Sequence, residues 1–110
     1  MIRMPRLLDT TAPIDLEPLD TESVVAGQPQ AGARAVGALA GLEVGVWEIT
    51  PGTSTDIEAD EVFVVLSGSA TVSFNDGEVI ELGPGSAVRL RAGDQTTWTV
   101  HETLRKVYLA

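Results

Sequence analysis

A chain of 110 residues with 44% hydrophobic side chains is long enough for one folded domain and apolar enough to close a core. Sixteen carboxylates against seven Lys plus Arg leave a formal charge of -9, which disfavours nucleic acid and anionic membranes, since both call for a basic surface. Without cysteine there is no disulfide, thiolate nucleophile or sulfur-ligated metal, and either redox environment remains open.

At the start, Arg3 and Arg6 flank a weakly apolar stretch, but Asp9 interrupts it before a signal-peptide core develops. No later run approaches the length of a membrane-spanning helix, for which about 20 apolar residues are needed. A soluble, cytoplasmic protein is the expectation. From Asp9 to Arg34 carboxylates, prolines and small residues alternate. Ile14, Leu16 and Leu19 suit a short edge strand or a packing arm, docked on this domain or on a neighbouring copy; a floppy tail is the alternative. Residues 24–32 read as a connection, so residues 1–34 are set apart as an N-terminal arm and connection, and residues 35–110 as a single domain.

Residues 35–40 form a short strand weakened by glycine and alanine. Residues 42–50 form the next, ended by Pro51-Gly52. Further strands are predicted at 62–66, 70–74, 79–82, 87–90, 96–100 and 104–109. Asn75-Asp76-Gly77, Gly83-Pro84-Gly85 and Arg91-Ala92-Gly93-Asp94 supply reversals between them. Ala70, Val72 and Phe74 share one face, and Trp98 and Val100 form the next inward pair. Near the end, Val107 and Leu109 alternate with Lys106 and Tyr108. The strand 62–66 buries one face, leaving Val64 and Leu66 as core candidates beside Phe63. Short strands bounded by turns, with no competing helical period, predict an all-β sandwich or barrel.

Asp56, Glu58, Asp60 and Glu61 crowd four carboxylates into six residues, directly before the apolar run 62–66. Like charges this close need water, a cation or a substrate group to offset them, so this is the candidate functional patch. Glu61 suits recognition of a cationic or amine-bearing group, with a structural role as the alternative. Asp56 and Glu58 read as solvated loop acids. Trp47, Trp98 and Tyr108 suit an aromatic wall that keeps a polar handle, or plain core packing. Arg89 and Arg91 suit bidentate binding of a carboxylate, or an exposed strand face. Arg105 or Lys106 is expected to pair with the acidic patch. His101, the single histidine, falls on the face opposite Trp98 if the strand runs on regularly.

Taken in order, residues 45–52, Asp60-Glu61, Leu66-Ser67-Gly68, Gly83-Pro84-Gly85, Arg91-Ala92-Gly93, Trp98 and residues 102–108 resemble a small single-domain cupin. The nearer likeness is to ureidoglycine aminohydrolase-like and ethanolamine-utilisation cupins, and it spans most of residues 42–108. The resemblance implies a double-stranded β-helix, or jelly-roll barrel, whose conical interior holds a metal or a small ligand. The family's first motif sets two histidines before a glutamate and a later glycine. Glu61 and Gly68 match that last pair, whereas the histidine positions fall near Thr55 and Ile57. The second-motif histidine falls on Thr96.

These departures remove most nitrogen donors of the usual centre, so no cofactor is expected. An oxygen-rich divalent site drawn from Glu61, Asp56, Asp60 or Glu58 is the remaining metal possibility. The expected function is binding of a small polar metabolite, with Glu61, Asp60, Trp98, Tyr108, Trp47 and Arg91 as ligand contacts. The alternatives are an amidohydrolase- or isomerase-like enzyme and a non-catalytic structural dimer module. A homodimer is expected in each case.

Overall fold

The computed structural model describes residues 5–110; residues 1–4, and with them the start of the weakly apolar stretch before Asp9, lie outside the described residues. The predicted all-β jelly roll is what the chain forms. Nine strands follow one another: β1 (Glu17–Pro18), β2 (Val24–Ala26), β3 (Gln30–Leu39), β4 (Leu42–Ile49), β5 (Gly52–Ile57), β6 (Glu61–Phe74), β7 (Val79–Leu82), β8 (Ala87–Leu90) and β9 (Gln95–Leu109). Among the described residues the single helical element is a 3-10 turn, Thr21–Ser23. Every strand pair is antiparallel, and the sheet runs β1-β3-β4-β9-β5-β2, with β6 pairing to β7, β8 and β9.

β9 is the spine, because β4, β5 and β6 all hydrogen-bond to it. The segments 96–100 and 104–109, expected as separate strands, are one continuous strand, and so are 62–66 and 70–74. What joins the latter pair is a bulge: the β6–β9 register shifts repeatedly between Val65 and Ala70. Gly68 sits at this bend with φ of 88°, and a Cβ there would collide with the Thr103 carbonyl of the facing strand. Between Val65, opposite Lys106, and Ala70, opposite Val100, β6 advances five residues while β9 advances six. The inward set of β6 therefore changes from odd numbers (Phe63, Val65) to even numbers (Ala70, Val72), whereas β9 stays even throughout.

That change overturns one expectation: Val64 and Leu66 face outward and are 36% and 37% exposed, while Phe63 and Val65 are buried. On β9, Leu104 and Lys106 are buried and Val107 and Leu109 lie on the outer side, the parity that Trp98 and Val100 set. Residues 24–32, read as a connection, contribute β2 and the start of β3, and β5 fills the stretch after Pro51-Gly52. The β3–β4 hairpin turns on Ala40-Gly41, both left-handed with φ of 52° and 81°, the geometry a two-residue loop requires.

The N-terminal segment packs on its own barrel. Glu17 and Pro18 pair with Ala31 and Gln30, the Arg34 guanidinium donates to the Pro13 carbonyl, and that of Arg105 donates to the carbonyls of Thr10 and Ala12. Arg105 is fixed in turn by an ion pair with Glu48 at 3.0 Å. Inside the barrel the core gathers Ile49, Phe63, Val65, Ala70, Val72, Leu82, Leu90, Trp98, Val100 and Leu104.

Candidate functional site

Cross-strand register sets the inner wall of the barrel in rows. Trp47, Lys106 and Val65 form one row across β4, β9 and β6; Gly45, Tyr108 and Phe63 form the next. Ser54, Trp98 and Val72 form a third across β5, β9 and β6. Paired residues on antiparallel strands project to the same face, so these rows bring Trp47, Trp98, Tyr108 and Lys106 into one space. It is a cavity of about 440 Å³, also lined by Asp20, Ser54, Asp56, Glu58 and Glu61. That volume lies within the range typical of small-molecule sites.

Lys106 is the feature around which the cavity is organised. Its Nζ donates to Glu61 Oε2 at 2.6 Å, and the two side chains are 7% and 17% exposed. The ammonium also lies 4.2 Å from the Phe63 ring centroid, 4.6 Å from that of Trp47 and 5.4 Å from that of Trp98. Three aromatic faces and a carboxylate are what a buried ammonium needs, since a lysine is rarely buried unless paired. Trp47 and Trp98 meet edge to face at 5.7 Å, so the box supports itself.

Glu58 stands on the same side. One carboxylate oxygen accepts from Thr96 Oγ1 at 2.7 Å and from Trp98 Nε1 at 3.1 Å. Burial raises its pKa above the ordinary glutamate value of 4.5, and the hydrogen bonds from Thr96 and Trp98 oppose this only in part. The reading of Glu58 as a solvated loop acid is thereby corrected: it is a half-buried cavity wall whose charge is poorly solvated. Tyr108 donates to Glu43 at 2.5 Å, and burial with that hydrogen bond pushes its phenol up to about 12. Its ring lies against Gly45, where an added Cβ would come within 2.5 Å of the hydroxyl. Glycine is needed there for the ring to occupy its place.

Of the residues singled out from the sequence, Glu61, Trp47, Trp98 and Tyr108 line this cavity together. Asp60 and Arg91 do not join them. Asp60 accepts from the Ala92 backbone N–H and from Arg89, both at 3.1 Å, and these contacts hold its carboxyl below the usual range. Arg91 lines a separate depression beside β7 and β8. His101 is exposed, 2.9 Å from Thr71 Oγ1.

The donor set does not fit a metal. Among the described residues no group of three or more His, Cys, Asp or Glu side chains is placed to hold one. Thr55 and Ile57 are exposed, Thr96 donates to Glu58, and Glu61 already carries the Lys106 ammonium. A divalent cation at Glu61 would face a fixed positive charge at hydrogen-bonding distance. The chain carries its cation on a side chain. No helix among the described residues is long and apolar enough to cross a membrane.

Comparison with known proteins agrees with this architecture. A family model described as the EutQ-like cupin domain matches residues 36–108. Among solved structures, a protein of unknown function of the DUF861 family from Pseudomonas syringae pv. tomato is 24% identical with a TM-score of 0.74. The match covers 93% of this chain but 46% of that one. A protein of unknown function from Rhizobium leguminosarum bv. viciae is 32% identical with a TM-score of 0.65, over 72% of this chain and 78% of that one. The EutQ protein of Clostridium difficile is 18% identical with a TM-score of 0.61, over 74% and 61%. The chain thus spans less than two thirds of the first and third of these relatives. No curated protein matches it. The chain belongs to the EutQ-like cupin family.

Proposed function

We propose that this cupin binds a small polar metabolite carrying an amine or other cationic group, and that it does so without a metal–histidine centre. The observation that carries the reading is the cavity of about 440 Å³ with two tryptophans, a tyrosine and an excess of acid on its walls. Asp20, Asp56, Glu58 and Glu61 outnumber the one cavity cation, Lys106, so the potential inside favours a positive guest. Lys106 already neutralises Glu61. Glu58, short of solvent and beside Asp56, is the carboxylate that gains most from a ligand ammonium.

Isothermal titration with a panel of small amines tests this. For a binding amine, affinity should rise with pH as Glu58 ionises, because only the carboxylate pairs with the guest. Raising the pKa places that rise above pH 4.5, and the neighbouring charges of Asp56, Glu61, Asp20 and Lys106 shape it. Glu58→Gln should weaken binding by about tenfold and flatten the pH dependence. An amine that binds equally well to the wild type and to Glu58→Gln would remove Glu58 from the site.

A homodimer is proposed on a separate observation. On the outer face, Val62 and Val64 pair across β6 and β9 with Leu109 and Val107, and Val44 continues the first row on β4. Val62, Val64 and Leu66 are 44%, 36% and 37% exposed, an apolar strip that a second copy would cover. Sedimentation at several concentrations should show dimer for the wild type and monomer for Val64→Glu. A wild type that stays monomeric at the highest concentration would end this proposal.

A further inference from the structure

Lys106 is the only lysine in the chain. Lysines ordinarily sit at the surface, yet this one is 5% exposed on the inner wall of the barrel. It is also reachable, because it lines the cavity described above. A lone primary amine side chain at a ligand cavity, held at 2.6 Å from a carboxylate and walled by three aromatic rings, has the parts of a carbonyl-capturing site.

We propose that Lys106 forms an imine with the carbonyl carbon of a small aldehyde or ketone that also bears an ammonium group, with Glu61 carrying the proton in both directions. This deepens the amine-binding reading and rests on it. The ligand ammonium lies toward Glu58 and Asp56, and the carbonyl toward Lys106. Glu61 takes a proton from the Lys106 ammonium across their hydrogen bond. The free amine attacks the carbonyl carbon, a C–N bond forms and the carbonyl π bond breaks. Proton transfer from nitrogen to oxygen within the adduct gives the neutral carbinolamine. Glu61 returns its proton to that hydroxyl, the C–O bond breaks and water leaves. The products are a protonated imine on Lys106, a Glu61 carboxylate paired with it, and one water. The carbonyl compound and the lysine ammonium account for every atom and charge, and no oxidant or reductant takes part.

Glu61 has the geometry for this because its acceptor already touches Nζ. Phe63, Trp47 and Trp98 exclude water around the nitrogen and favour the positive charge of the protonated imine as they favour that of the ammonium. Thus the ion pair is the resting state of the site, and the imine is its loaded state.

The test uses the full-length wild-type chain, betaine aldehyde as the probe and cyanoborohydride to fix any imine as a secondary amine. The uncharged isostere 3,3-dimethylbutanal, of nearly the same shape, runs in parallel. Peptide mass mapping should place the adduct on Lys106 ahead of the α-amino group, the internal reference for unassisted reaction. Betaine aldehyde should label Lys106 faster than its isostere by on the order of tenfold, through the acidic cavity. Glu61→Gln should slow labelling by about a hundredfold, as expected for loss of a proton carrier. Adduct confined to the α-amino group, or Lys106 labelling no faster than that group, would overturn the imine. Equal rates for the two aldehydes would overturn the ammonium-bearing class. The mapping and the isostere comparison need only wild-type protein, so they decide even if Glu61→Gln does not fold. Calorimetry of the amine panel on the same sample separates the two readings. Amine binding without a Lys106 adduct rejects the imine and leaves the binding site standing; neither binding nor adduct rejects both.

Discussion

Lys106 and Glu61 show how a single pair sets the cost of change at the cavity. Both are largely withdrawn from solvent, and their hydrogen bond is 2.6 Å long. Removing one partner of such a pair strands the other charge in a poorly solvated space, which typically costs about 3–5 kcal/mol, whereas replacing both by neutral groups of similar size is often nearly neutral. Glu61→Gln should therefore lose stability of that order in denaturant unfolding, and the double variant Glu61→Gln with Lys106→Met should recover most of it. A single variant as stable as the wild type would show that the ammonium finds other compensation. This is also why Glu58 is the better carboxylate to change when binding alone is to be read.

Part of this site was legible in the sequence and part was not. Trp98 and Val100 mark even-numbered residues of β9 as inward, and the same parity carried forward reaches Leu104, Lys106 and Tyr108. The inward lysine follows from the alternation pattern once residues 95–109 form one strand. Expectation placed Arg105 or Lys106 against the acidic patch, and Lys106 is the residue that pairs there. Glu58 was beyond reach. Its partners Thr96 and Trp98 lie 38 and 40 residues away, and only the pairing of β5 with β9 brings that part of the chain against them.

At the scale of the element, β6 is the instructive strand. Gly68 permits a bulge that a side chain would block, and the bulge moves the buried face from odd to even residues. An alternation pattern read straight across residues 62–74 inevitably misplaces one half. Val65→Ala and Phe63→Ala should each destabilise, by about 1–3 and 3–5 kcal/mol respectively, through lost burial and the cavity left behind. Val64→Ala and Leu66→Ala, on the outer side, should cost about 0.5 kcal/mol or less in the monomer. Thermal unfolding of the four variants checks the register. Equal losses at Val64 and Val65 would show that this half of the strand is not one-sided.

Across the whole molecule, the barrel, the arm and the charge act on the same cavity. β9 supplies Trp98, Lys106 and Tyr108 from one inner face, β4 supplies Trp47, and the N-terminal segment adds Leu19 and Asp20 to the rim. Four of the sixteen carboxylates, Asp20, Asp56, Glu58 and Glu61, line the cavity against one ammonium. Glu61, at the motif-glutamate position of the resemblance, is used here on a lysine. The fold was legible because turns punctuate nearly every strand. The cavity was less so, because it depends on contacts between strands far apart in sequence.

Both tryptophans of the chain line the cavity, which gives the central claim a direct readout. The two indole N–H resonances of the ¹⁵N-labelled protein report on that space, and the Trp98 N–H is the one donated to Glu58. Titration with the small-amine panel should move both signals in a saturable way for any compound that binds, with the larger shift at Trp98. A compound that binds by calorimetry yet leaves both indole signals unmoved would contradict the account, because the ligand site would then lie outside the barrel.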